Sequence, residues 1–254
     1  MSFTANHRLN RLLRVSPEVN NLSTASAPVR VEVFGERREM SHASNGGFPF
    51  VGHYRCLDFV NTSLIAAQGR TDPIQDFNGL VSWLHQAGLI DAAERRVALA
   101  KWGKGREAQQ TYGAALLFRL RMTEIAEKLA TRKQVSKSGL DAINEQLQSL
   151  AARAKLTRGK SGFVERLETD LTEPRQLIVS VAQSAADLLC HGDLSLVKRC
   201  ANPSCSLYFY DTSKNHTRRW CSMERCGSRM KMAAYYRRQK LTRRGSAPIA
   251  KDQR

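Results

Sequence analysis

Apolar residues recur at helical spacing through the middle of the chain. In "DFNGLVSWLHQAGL", Phe77, Leu80, Val81 and Leu84 stand at i, i+3, i+4 and i+7 behind Asp76, a candidate N-cap, and Gly88 marks a stop. Asp91 opens a further helix through Ala100. The longest helical pattern runs from Glu107 to about Arg132, with an expected core stripe of Leu116, Leu117, Leu120, Ile125 and Leu129 and arginines on its flanks. Residues 139–154 repeat the pattern through Leu140, Ile143, Leu147 and Leu150. Two short runs around Gly159 and Gly162 change to a β-type alternation and predict a hairpin. Pro174 then opens a helix that ends near Leu189. Trp83 and Trp102 are expected in the core.

The pattern therefore predicts a mainly α protein. A helical domain with a small β-hairpin covers residues 46–190. Residues 1–45 hold few large apolar residues and are expected to be a disordered or dispensable tail, apart from a short strand around Val31 and Val33. "MSHASNGG" from Met40 reads like an ordinary N-terminus and is an alternative start to Met1. No apolar run approaches the length of a membrane span, and the first residues lack the apolar core of a secretory signal. A cytoplasmic protein with no membrane partner is expected.

Charge changes the picture at the C-terminal end. Of the formal +17, residues 198–244 contribute 13 Lys/Arg against two acids, whereas residues 46–197 are nearly balanced at 19 against 16. A compact basic segment on a near-neutral body points to a polyanion partner for that segment alone. Arginine outnumbers lysine there, and arginine is the better phosphate ligand.

Four of the six cysteines lie in the same segment: Cys200-x4-Cys205, then Cys221-x4-Cys226. Paired cysteines at this spacing suit a structural zinc site, and four thiolates close a tetrahedral shell without an open position for water. One structural Zn²⁺ is expected. His216, between the pairs, is not needed as a ligand. The intervening "SLYFYDTSKNHTRR" is long enough for a hairpin that folds the second pair onto the first. Cys56 and Cys190, in apolar surroundings, read as small core residues.

After Cys221 a helix is expected, capped by Ser222. On a helical projection Met223, Cys226, Met230 and Ala234 share a side turned to the metal. Arg225, Arg229, Tyr236 and Lys240 share another, flanked by Lys231 and Arg238. The cysteines would hold a helix, and the arginines are what it presents. The segment 198–240 reads as a four-cysteine finger of hairpin and helix, followed by a basic tail over 241–254.

These residues resemble the CGNR-type zinc finger of bacterial proteins. "CANPSC", Phe209-x-Asp211, Ser213 with Asn215, "RRWCSM" and then Cys226-Gly227-Ser228-Arg229 carry the resemblance, with Ser228 where the motif has Asn. The body is similar to the ABATE domain that precedes this finger, on "GHYRCLDFVNT" (Gly52 to Thr62) and "WLHQAGL" (Trp83 to Leu89). The resemblance implies a stress-responsive bacterial transcription regulator, with the finger on DNA and a helical domain of unknown ligand.

Three functions are weighed on these residues. The leading expectation is a zinc-dependent regulator of transcription on the nucleoid. Its finger helix reads duplex DNA, Arg225, Arg229 and Lys231 contact bases or phosphates, and Arg218 and Arg219 neutralise phosphates. One finger offers few base contacts, so a homodimer through the helical body is expected with it. The alternative is an RNA-binding or ribosome-associated zinc module that stacks bases on Tyr208, Tyr210, Tyr235 and Tyr236. Catalysis is not expected: there is no phosphate-binding glycine loop, metal dyad or nucleophile elbow. In the body, Asp58, Asn61 and Thr62 are the candidate pocket for a small-molecule effector, with backbone capping as the competing role.

Overall fold

The computed structural model describes residues 47–66, 69–150, 152–159, 162–169 and 171–245. The expected N-terminal tail, the strand around Val31 and Val33, and the last nine residues lie outside the described residues. The described elements are α1 (Arg55–Val60), β1 (Leu64–Ala66), β2 (Gly69–Thr71), α2 (Phe77–Gln86), α3 (Ala92–Trp102), α4 (Arg106–Ala130), α5 (Lys137–Leu147), β3 (Ala152–Gly159), β4 (Gly162–Thr169), α6 (Val179–His191), β5 (Val197–Arg199), β6 (Tyr208–Tyr210) and α7 (Ser228–Gly245). The fold is mainly α, and its strands form two-stranded antiparallel sheets.

Local chemistry sets the helix ends. Asp76 accepts the Gly79 N–H at 2.7 Å and starts α2, while Gly88, at φ +70°, takes the left-handed conformation that stops it. Asp91 and Glu94 form a reciprocal capping box on α3. A 3₁₀ turn over Pro174–Ile178 leads into α6. The hairpin β3–β4 pairs Ala152 with Thr169 down to Gly159 with Gly162. It starts further upstream than expected, so α5 stops at Leu147 rather than near residue 154.

The long helix α4 is central, packing against α1, α2 and α5. Its buried face differs from the expected one. Ala115, Phe118, Met122, Ile125 and Leu129 face the core, whereas Leu117 and Leu120 are 68% and 53% exposed. The run "GAALLFRLRM" admits two faces, and the one carrying the larger Phe118 and Met122 is inward. That choice also takes Arg119 inside, where its guanidinium binds the Asp72 carboxylate and donates to Thr62 Oγ1 at 2.7 Å. A buried arginine is tolerated only with such partners. Trp83 and Trp102 are core residues as expected, and Cys56 is buried; Cys190, expected inside, is exposed.

Candidate metal centre and basic helix

The metal centre is built on a short ladder. β5 and β6 pair with Lys198 opposite Phe209, and the Cys200 N–H extends the ladder to the Leu207 carbonyl at 2.9 Å. The turn between the strands carries the first cysteine pair. Asn202 shapes it, its Oδ1 accepting the Ser204 N–H at 3.1 Å and its carbonyl the Cys205 N–H at 2.9 Å. The hairpin thus spans the first pair and does not lie between the pairs as expected.

Residues 211–220 are an irregular loop wound on Asp211. This buried carboxylate accepts from Lys198 Nζ at 2.6 Å, the Ser213 N–H and hydroxyl at 3.0 and 2.6 Å, and the Arg218 N–H at 2.9 Å. Burial alone would raise its pKa; the bonds from Lys198 and Ser213 override that and hold it at about 2. The ionised hub returns the chain to the first pair, where the Ala201 N–H meets the Arg219 carbonyl at 2.8 Å. His216 adopts φ +50° with Nδ1 3.3 Å from the Asp211 carbonyl, so it serves this loop.

The sulfurs of Cys200, Cys205, Cys221 and Cys226 all lie within 4.8 Å of one another, Cys205 and Cys221 at 3.9 Å. Tetrahedral zinc with Zn–S of about 2.3 Å requires sulfurs about 3.8 Å apart, so the donor set fits the ion. Backbone and side-chain N–H groups point at the sulfurs: Cys221 N–H to Cys200 Sγ at 3.4 Å, and Asn202 Nδ2 to Cys226 Sγ at 3.2 Å. Such bonds favour thiolates. Three of the four cysteines are buried, and Cys205 is half-buried.

Ser222 caps the exit, accepting the Arg225 N–H at 3.0 Å. A wide turn over Met223–Gly227 follows, closed by the Gly227 N–H on the Ser222 carbonyl, and α7 leaves from Ser228. This wide turn shifts the helical phase. Of the expected metal-facing side, Cys226 is buried, Met223 is exposed and Ala234 is exposed. Residues 231–240 are exposed on every face of α7. α7 thus carries the exposed Arg229 and Lys231, with Arg225 half-buried in the wide turn before it. The Arg229 guanidinium reaches back to the Arg225 carbonyl at 2.7 and 3.1 Å. Arg219 is exposed, its guanidinium 5.3 Å from the Trp220 ring centre.

Arg218 behaves differently from its neighbour. Its guanidinium lies 4.3 Å over Phe209 and donates to the Trp220 carbonyl at 3.0 Å, the Val51 carbonyl at 3.3 Å and the Cys221 carbonyl. These bonds from Nε and Nη2 brace the finger, and Arg218 stays half-buried.

Asp58, Asn61 and Thr62, the candidate effector pocket, lie together on and just after α1. All three are buried and engaged by the protein itself. The Asn61 amide binds the outer edge of β6, donating to the Tyr208 carbonyl and accepting its N–H, both at 2.8 Å. Asp58 Oδ1 accepts the Gly52 N–H at 2.7 Å, and the Gly52 carbonyl accepts the Tyr210 N–H at 3.0 Å. A side chain at Gly52 would come within 2.8 Å of the Asp58 nitrogen, so only glycine fits. Thr62 donates to the Phe59 carbonyl at 2.7 Å and accepts from Arg119. Gly52 and Asn61 together act as a third strand beside β6. Val51 completes the apolar cluster of Cys200, Leu207, Phe209, Cys221 and Cys226, and Tyr208 Oη donates to Glu127 of α4 at 2.5 Å. The roles of Val51, Lys198 and Arg119 were not read from the sequence; only the apolar density of "FPFV" hinted at the first.

Residues 197–239 match the CGNR zinc finger. Residues 54–192, more than half of the chain, match the ABATE family, described as "Putative stress-induced transcription regulator". The chain belongs to the ABATE family. No curated protein matches the sequence. The ABATE body and the finger follow one another in the expected order, and the four converging sulfurs are consistent with one structural zinc. Neither family is one of enzymes. No helix among the described residues is long and apolar enough to cross a membrane.

Proposed function

We propose that this ABATE protein regulates transcription by binding duplex DNA through its zinc finger, acting on the nucleoid in the cytoplasm. The observation that carries the reading is α7. Lys231, Arg237, Arg238 and Lys240 lie on a stretch exposed on all sides, with Arg229 two residues before it and no acid from Ser228 to Gly245. Like charges this dense repel unless a polyanion neutralises them, and a helix about 27 Å long matches the reach of a major groove. Zinc holds the start of α7; Arg225, Arg229 and Lys231 contact bases or phosphates, and Arg219 contacts phosphate. Arg218 and the Asp58–Asn61–Thr62 group belong to the scaffold in this reading, and the body takes part in dimerisation.

An RNA-binding module is the second reading, and exposed Tyr235 and Tyr236 favour it. Tyr208 does not, being buried, and Tyr210 is stacked on His53.

The test is selection of random duplex DNA on zinc-loaded protein, with a chelator-treated control. An enriched motif that vanishes without zinc supports the reading. Arg225→Ala, Arg229→Ala and Lys231→Ala should weaken cognate binding while one zinc is retained. Unenriched binding, with preference for single-stranded RNA at matched salt, would replace DNA by RNA.

A further inference from the structure

We propose that the outward face of α4 is a seam through which two copies of this chain associate, antiparallel and two-fold related. The pair would offer two fingers to one duplex, and that second part alone rests on the DNA reading above.

On the side of α4 turned from the core, Arg106, Gln110, Gly113, Leu117, Leu120 and Glu124 follow at alternating steps of four and three. This is the spacing of a helix–helix seam with a period of 3.5 residues. Leu117 and Leu120 form its centre and stand 68% and 53% exposed, although Phe118, Met122, Ile125 and Leu129 of the same helix are buried. Among the described residues, nothing covers these two leucines on the outer face.

The ends of the stripe indicate its occupant. Arg106 lies at the N-terminal end and Glu124 at the C-terminal end, where Glu124 is exposed and within 3.2 Å of Arg121. A second copy laid antiparallel brings Arg106 to the partner copy's Glu124, twice over. The register that pairs Arg106 with the partner copy's Glu124 sets Leu117 against the partner copy's Gly113, a large side chain over a gap. Leu120 then lies along the partner copy's Gln110. A parallel arrangement would place like charges together and two glycines opposite each other. The stripe is short, so the association should be weak and reversible.

The seam also orders the fingers. Glu127, where α4 binds Tyr208 of the finger, lies about a dozen residues from the centre of that register, which separates the two attachment points by about 36 Å along the helices. That is close to one turn of duplex, roughly 34 Å, the spacing at which two-fold dimers read inverted half-sites.

Sedimentation equilibrium of the zinc-loaded full chain tests the seam without DNA. The wild type should show concentration-dependent dimerisation. Leu117→Gln/Leu120→Gln, neutral changes at exposed sites, should weaken it about tenfold or more with helical content and zinc unchanged. Arg106→Glu should weaken it as well, and Arg106→Glu/Glu124→Arg should restore it. A wild type that stays monomeric, or a double-Gln variant that dimerises as before, overturns the proposal. On selected DNA, two inverted half-sites one turn apart should bind wild type cooperatively. The double-Gln variant should keep single-site affinity and lose cooperativity; cooperativity retained in it would overturn the seam's role on DNA. If no DNA is bound, the DNA reading fails and the sedimentation result still decides the seam.

Discussion

Replacing Asn61 by leucine should separate the finger from the body. The leucine is near in size, but it leaves the Tyr208 N–H and carbonyl without the two 2.8 Å bonds they now have, in a place where Asn61 itself is 1% exposed. Each buried, unsatisfied backbone group costs about 1–3 kcal/mol, so the pair costs roughly 2–6 kcal/mol. That is a large part of the roughly 5–15 kcal/mol that holds a typical domain. The loss falls on β6, which carries the finger, and not on the α2–α4 core. Urea unfolding followed by circular dichroism should therefore change from one transition to two, with the finger first. If about 3 kcal/mol falls on the metal-bound finger, zinc affinity drops about a hundredfold, measurable by competition with a chromogenic chelator. Asn61→Asp separates hydrogen bonding from packing. It has nearly the same shape and keeps the acceptor for the Tyr208 N–H, yet it sets an oxygen against the Tyr208 carbonyl and should be no better than leucine. An Asn61→Leu protein that unfolds within about 0.5 kcal/mol of wild type, with unchanged zinc affinity, would refute the account of the β6 edge.

Other consequences follow from the same contacts. Burial lifts the Asp58 carboxyl from 3.8 to about 7, against the pull of the Gly52 N–H and of Arg55, whose guanidinium is 3.6 Å away. The folded chain then holds a proton that the unfolded chain releases, so this group's stabilisation is fully present below 3.8 and declines as pH rises to about 7. Asp58→Asn should flatten that decline in urea midpoints taken across the upper part of the window, where the zinc thiolates remain deprotonated. Arg119→Met leaves the Asp72 carboxylate unpaired; with the Asp72 side chain 29% exposed, water offsets part of the loss, and about 2 kcal/mol of destabilisation is expected by thermal unfolding. Arg218→Ala should cost about 1–3 kcal/mol of stability, whereas Arg219→Ala should leave stability unchanged and lower the salt slope of DNA binding by about one phosphate. A peptide of residues 197–245 lacks Val51, Gly52 and Asn61, so even with excess zinc it should show less helix than the same residues contribute in the full chain.

Local signals were the legible part of this fold. Asp76, Asp91, Gly88 and Pro174 mark their helices because each acts within one turn of itself, and the Gly159–Gly162 turn fixes its hairpin for the same reason. The face of α4 was not legible from its own sequence. Leu116, Leu117 and Leu120 make as good a stripe as Phe118 and Met122, and only partners distant in sequence decide between them. Asp72 is the clearest, since it makes Arg119 an inward residue. Cys190 shows the same limit, because an apolar sequence neighbourhood does not say which side of α6 it faces.

The site divides along the same line. Four cysteines at paired spacing state their own chemistry, and they converge because the turn at Asn202 and the loop on Asp211 are local devices. Asp58, Asn61 and Thr62 look like ligand contacts in the sequence because polar residues between Leu57, Phe59 and Val60 must meet something polar. What they meet is other backbone: Gly52, Tyr208 and Phe59. Arginine in a basic segment is ambiguous in the same way, and the difference between Arg218 and Arg219 is only which side of the loop each one faces. A donor held by carbonyls and an exposed donor are the same residue type in sequence. The distinction lies in the carbonyls of Val51, Trp220 and Cys221, which the fold brings to Arg218 alone. The segment from Val51 to Thr62 therefore belongs to the finger's architecture as much as to the body's. Asn61, at the end of α1, and Gly52 before it both bond β6 directly.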